Sequence, residues 1–125
     1  MALPHANPLD VIALPPLGDA LRSTPSTSLL KTRRVQLLHL VLRAHQDLPM
    51  HHVDDECTLH CLEGTVEIDL PGGTRRLNAG ELVVLPARQP HAVRARSDAA
   101  LLVTLLLKDG DAGDGTADRA LRGTA

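Results

Sequence analysis

Between His51 and Gly64 the chain reads HHVDDECTLHCLEG, a stretch that holds three of its seven histidines and both of its cysteines. Imidazole, thiolate and carboxylate are the side chains that ligate zinc, iron, nickel, copper or manganese, and imidazole also exchanges protons near neutral pH. Which of these residues can act together depends on the backbone beneath them. On an extended strand successive side chains point to opposite faces, so His51 and His52 cannot both enter one pocket unless a bulge intervenes. Val53 shares the face of His51 and offers no ligand. Cys57 and Cys61 share a face, yet at about 3.3 Å per residue they stand roughly 13 Å apart. That is too far for a disulfide, which needs Cα atoms within about 7 Å, and too far for both to hold one ion. Two reduced thiols are expected.

The elements around this stretch read as strands. TVEIDL places Val66, Ile68 and Leu70 on one face and Thr65, Glu67 and Asp69 on the other, and ends in Pro71, Gly72 and Gly73. That is the period-two signature of a half-buried antiparallel strand running into a turn. HAVRAR repeats it, and puts His91 on the same face as Val93 and Ala95. RVQLLHLVLRA and ALLVTLLL are apolar on both faces, as suits strands covered on both sides, by the core within and by another sheet or subunit without. A homodimer is the expectation from that pattern. Residues 1–26 carry five prolines and read as an irregular N-terminal arm on the domain surface, with Leu17 to Ser23 the one gap wide enough for a helical turn. Residues 108–125 are rich in Gly, Asp and Ala and read as a disordered tail. The expected organisation is therefore a single all-β domain over 27–107, a sandwich or barrel, between an arm and a tail.

Composition narrows the partners. The chain has 125 residues, 24 of them leucine, and no Phe, Tyr or Trp. A core can be built, but any ligand meets an aliphatic and polar pocket without stacking, which argues against single-stranded nucleic acid and quaternary ammonium groups. A net charge of -2 supplies no basic face for a phosphate backbone. The first residues lack a basic region followed by an apolar run, and no uninterrupted apolar stretch approaches the ~18 residues of a membrane span. A cytoplasmic protein without membrane or nucleic-acid partners is expected.

The order of strand, His-bearing strand, LEG turn, TVEIDL, Gly-Gly hairpin and LNAGELVVLPARQPH resembles the cupins, small β-barrels of jelly-roll type. Their first motif runs Gly, five residues, His-x-His, three or four residues, Glu, six residues, Gly. Here His45 stands at that first Gly, His51 at the first His, Val53 at the second, Cys57 at Glu and Gly64 at the last Gly. Their second motif runs Gly, five residues, Pro-x-Gly, two residues, His, three residues, Asn. Gly80, Pro86 and His91 match it, while Arg88 and Ala95 replace Gly and Asn. The resemblance, over about residues 27–107, implies the barrel fold and a pocket inside it. Of the four usual metal-ligand positions, His51 and His91 are kept and two are changed.

From the resemblance and the chemistry together, the expected divalent-metal ligands are His51, Cys57 and His91, with the thiolate of Cys57 standing in for the usual Glu. His52 or Glu56 would join them only if the register slipped by one. Cys61 reads as core. His60 reads as an outer-sheet or subunit contact, His39 and His45 as structural or solvated. Asp54, Asp55 and Glu56 read as a loop whose charges stay in water. Two functions follow: a cupin with a small-molecule pocket and an altered divalent-metal site, or a metal-free sensor or storage module. In the second, the same histidines bind a hydroxyl or carboxylate of a small metabolite. No acid and base pair can be named, which leaves the catalytic residues and the question of an enzyme open.

Overall fold

The computed structural model describes residues 5–108 of the chain, so the expected tail lies outside the described residues except for Lys108. Nine strands follow one another: β1 (Thr27–Lys31), β2 (Val35–Leu42), β3 (Asp47–His51), β4 (Cys57–Glu63), β5 (Thr65–Leu70), β6 (Gly73–Asn78), β7 (Leu82–Leu85), β8 (His91–Ala95) and β9 (Ala99–Leu106). They form a five-stranded sheet in the order β1-β2-β9-β4-β7 and a four-stranded sheet in the order β3-β8-β5-β6, with antiparallel pairing throughout. The two sheets face each other as an all-β jelly-roll barrel. The alternation of β5 is the one its sequence predicts: Val66 and Ile68 are buried, while Thr65, Glu67 and Asp69 remain partly in solvent.

The core between the sheets is aliphatic, with Leu38, Leu42, Ile68, Leu101, Val66 and Val93 among its largest buried side chains. Cys57 and Cys61 lie within it as free thiols. Without aromatic rings the interior depends on many branched side chains interlocking, and each contributes about 1.5–3 kcal/mol by leaving water.

The outward faces of the two sheets are finished differently. On the four-stranded sheet, Arg94 reaches Asp69 at 3.0 Å and Glu67 at 3.6 Å, a solvated charged surface. On the five-stranded sheet, Val41 and Ala100 are covered by Leu17 and Leu21. These belong to the arm, whose 3-10 helix spans Gly18–Arg22. The second covering layer over this end of β2 and β9 is thus a piece of the same chain, where the apolar pattern suggests another sheet or subunit. Farther along, Leu82, Val84 and Leu106 stay 57%, 53% and 44% exposed.

Two irregularities shape the ends of the barrel. On β3, Leu48 pairs with Val93 and His51 with His91, so three steps on β3 match two on β8. The extra residue is a β-bulge at Pro49 and Met50, a place where proline is tolerated because a ladder hydrogen bond is already lost. After β4, Gly64 takes φ 78°. A Cβ there would run into the Asp98 carbonyl oxygen and would sit 2.9 Å from the Ser97 hydroxyl oxygen, so this turn requires glycine on both counts.

Candidate functional site

The bulge decides which residues of the His51–Gly64 stretch face inward. Leu48 is buried, and strict alternation would turn Met50 inward and His51 outward. With one residue added, His51 returns to the inner side, opposite His91 across the β3–β8 pair. The two rings stand with centroids 4.4 Å apart and planes tilted by 53°. His52, next along the chain, is exposed on the outer side, as is Glu56, so neither joins the pair.

Each ring is oriented by its own backbone. His51 Nδ1 lies 2.9 Å from the Pro49 carbonyl oxygen, and His91 Nδ1 lies 2.9 Å from that of Gln89. A carbonyl can only accept, so in each ring Nδ1 carries the hydrogen and donates it. Nε2 is then left with a bare lone pair, an arrangement that in metalloproteins orients a histidine toward its ion. Burial holds the His91 pKa below its ordinary value. The hydrogen bond to Gln89 opposes that shift, and the neighbouring His51 and His52 add to it.

Both rings line a cavity of about 30 Å³, together with Cys57 and the aliphatic side chains of Leu38, Leu40, Leu48 and Val93 among others. That volume holds about two water molecules. Cys57 is 1% exposed, and burial pushes its thiol up to about 11, so it is protonated at neutral pH. Cys61, buried near the turn after β4, is also raised by burial, against which the Glu63 backbone acts. The loop before β8 closes the mouth of the barrel, with the Arg88 N–H donating to the Val53 carbonyl oxygen at 2.9 Å. Arg88 does this at φ 62°, and His45 near the start of β3 has φ 69°. Both stand where the cupin motifs carry glycine, and the backbone keeps the glycine conformation without the residue.

Among the described residues no three of His, Cys, Asp and Glu gather around one point as a set for a metal ion. The expected set is therefore brought to one cavity, since His51, His91 and Cys57 all line it, but not into a closed coordination sphere. Two imidazole lone pairs fit a transition metal. The remaining positions hold the apolar Val53, 9% exposed, and a protonated thiol, so the donor set fits two ligands of the usual four. A much larger groove of about 590 Å³ lies at the opposite end of the barrel, open to solvent and lined by Leu21 to Ser26 and Arg43 to Gln46. It contains none of the cavity's histidines or cysteines, and size does not make it the site.

Sequence reasoning missed the carbonyls of Pro49 and Gln89, which fix the two tautomers. A signal was present: a proline stands within two residues before each histidine, in PMH and in QPH.

These features define a class: a small antiparallel barrel with a paired-imidazole cavity at one mouth. Over residues 38–107 the sequence matches the cupin domain family, and the chain belongs to it. No curated protein matches the chain. Several solved structures resemble it. A conserved protein of unknown function from Streptococcus pyogenes is 20% identical with a TM-score of 0.69, covering 87% of this chain and 99% of that one. A cupin superfamily protein from Desulfitobacterium hafniense DCB-2 is 18% identical with a TM-score of 0.64, covering 66% and 76%. An RmlC-like cupin from Desulfovibrio desulfuricans is 23% identical with a TM-score of 0.61, covering 83% and 96%. At such identities the likeness concerns the fold. No helix among the described residues is long and apolar enough to cross a membrane.

Proposed function

We propose that this cupin is a small-ligand-binding module in which His51 and His91 anchor the polar end of a ligand entering the barrel. The observation that carries the reading is the orientation of both rings: each spends Nδ1 on a backbone carbonyl and keeps Nε2 for something else. Binding rather than turnover is favoured because the titratable groups lining the cavity are these two imidazoles and a thiol raised to about 11, with no carboxylate beside them.

A second reading is supported by the same ring geometry. A divalent transition metal would be held by His51 and His91, with Cys57 as a third ligand once the ion displaces the thiol proton. Elemental analysis of untagged protein, beside His51→Ala and His91→Ala, separates the two. About one metal per chain, lost in both variants, selects the metal reading. Absence of metal, with a melting temperature raised by a small organic ligand in the wild type and unmoved in the variants, selects the metal-free module. If neither occurs, the anchor reading fails.

We also infer that the uncovered aliphatic patch of the five-stranded sheet seats a second copy of the chain. Leu82 and Val84 on β7 run beside Thr58 and His60, and these beside Thr104 and Leu102, a surface without Asp, Glu, Lys or Arg. Exposed Leu82 and Val84 on an uncharged sheet face are the kind of surface that association buries. Sedimentation should give a dimer that Val84→Lys converts to monomer, and a monomeric wild type would refute the inference.

A further inference from the structure

We infer that the cavity selects its ligand by hydrogen-bond polarity: the group entering between His51 and His91 is a neutral donor on a compact aliphatic body, a hydroxyl or an amide N–H, whereas carboxylates and phosphates are turned away. This rests on His51 and His91 being the anchor, and goes further by naming the chemistry they accept.

The carbonyls of Pro49 and Gln89 set the polarity. Each receives a hydrogen from the Nδ1 2.9 Å away, because it has none to give. In its neutral form each imidazole carries one hydrogen, so with Nδ1 donating both Nε2 atoms are then acceptors. Two acceptors on rings 4.4 Å apart, centroid to centroid, offer lone pairs and no proton to whatever enters. The rest of the lining reinforces this. Its side chains are Leu, Val and one Cys, with no Arg, Lys, Ser, Thr, Asn or Gln among them, so the weak S–H of Cys57 is the sole further donor in the lining.

A carboxylate placed there would set its own lone pairs against those of the neutral rings, and it would gain a cation only by forcing a proton onto one of them, which burial opposes at His91. Burying an unpaired charge against aliphatic walls is strongly unfavourable. An ammonium would meet two acceptors but no counter-charge, since no Asp or Glu lines the cavity. A hydroxyl escapes both penalties. It donates to one Nε2, and its stem lies against Leu48 and Val93. A cavity of about 30 Å³ admits little more than that tip, so the remainder of the ligand lies in the mouth beside His51, which is partly exposed. A metal cation shares the underlying property of accepting an electron pair, and the experiment must tell it from an organic donor.

The test uses full-length protein dialysed against EDTA, with the imidazole nitrogens followed by long-range 1H–15N NMR. Separate titrations use 1-butanol, sodium butyrate, n-butylammonium chloride, inorganic phosphate and zinc chloride. The expected result is an Nδ1–H tautomer for both His51 and His91 and saturable shifts with 1-butanol in the millimolar range. Binding should be at least tenfold weaker for butyrate, butylammonium and phosphate, and the butanol response should be lost in His91→Ala. A bare Nδ1 in either ring overturns the inference, and so does butyrate binding as well as butanol. Shifts with zinc chloride alone overturn it in favour of the metal reading. If no probe moves either ring, the anchor reading itself falls, an outcome distinguishable from a reversed ligand preference.

Discussion

The two ends of this barrel use polar side chains in opposite ways. At the end where β4 meets β5, they are spent on the backbone. The Ala44 N–H donates to Asp98 at 2.8 Å, Thr65 N–H to the Ser97 hydroxyl at 3.0 Å, Asn78 N–H to Glu81 at 2.8 Å, and Leu17 and Gly18 N–H to the two oxygens of Glu63 at 2.8 and 3.1 Å. At the other end, His51 and His91 satisfy one carbonyl each and hold a nitrogen in reserve. The closed end uses its carboxylates and hydroxyls to hold turns and the arm in place. The mouth keeps polar capacity unspent beside a void. The comparison predicts that substitutions at the two ends differ in kind.

The largest effect is expected at Gly64. Alanine there must hold a positive φ, about 1–2 kcal/mol, and push its Cβ into the Asp98 backbone, a steric penalty of similar size. Gly64→Ala should lower unfolding free energy by about 3 kcal/mol in urea titrations, while the folded fraction keeps its response to ligand at the mouth. A comparable loss of ligand response would break the separation of the two ends.

Next comes Glu63→Ala. It releases the Leu17 and Gly18 N–H groups at the start of the arm's 3-10 helix and loosens Leu17 and Leu21 from Val41 and Ala100. Hydrogen bonds to a charged acceptor contribute about 1.5–3 kcal/mol, so a loss of about 2 kcal/mol is expected, accompanied by faster proteolysis within the arm. His91→Ala should invert the pattern, abolishing the ligand response with a smaller stability loss.

How far these roles can be read in the sequence divides along the same line. The strands of the barrel, the inward face of His91 and the special place of Gly64 are legible because period two and turn residues are local signals. The inward place of His51 is legible only through its motif position, because the bulge that turns it inward is set by long-range pairing with β8. The arm's packing over Val41 and Ala100 is a long-range contact, and apolar residues on both faces of β2 and β9 do not distinguish it from a second subunit. Motif spacing puts Cys57 on the face toward the cavity, but it does not tell that burial there raises the thiol to about 11.

A pH dependence should draw on both regions of the barrel. His91 at the mouth and His39 on β2 are both held below the ordinary 6.5, chiefly by burial, with the Glu63 carboxylate opposing the shift at His39. Below pH 6.5 the unfolded chain takes protons that the folded chain refuses, so stability is full above 6.5 and falls as pH drops toward the lowered folded-state values. Urea midpoints between about pH 7.5 and 5 should show this decline, with His39→Gln and His91→Gln each removing part of it. A decline equally steep in the double variant would assign it to other groups.

The smallest effect sharpens the comparison most, because it is the same at both ends. His45 at the closed end and Arg88 at the mouth are exposed, stand at motif glycines and hold φ values of 69° and 62°. Left-handed backbone disfavours a side chain by about 1–2 kcal/mol, and glycine would relieve that. Glycine also frees the unfolded chain, which offsets about 0.4–1 kcal/mol of the gain. His45→Gly and Arg88→Gly should therefore each raise stability by about 0.5 kcal/mol, visible as a small increase in the urea midpoint. Their effects on ligand should differ. The His45 N–H donates to the Ala95 carbonyl far from the cavity, and His45→Gly should leave the ring resonances of His51 and His91 unmoved. The Arg88 N–H ties the closing loop to Val53, two residues from His51, and a looser loop should speed ligand exchange in Arg88→Gly. Identical exchange rates in the two variants would mean that the mouth owes its geometry to the β3–β8 bulge alone and nothing to the loop that covers it.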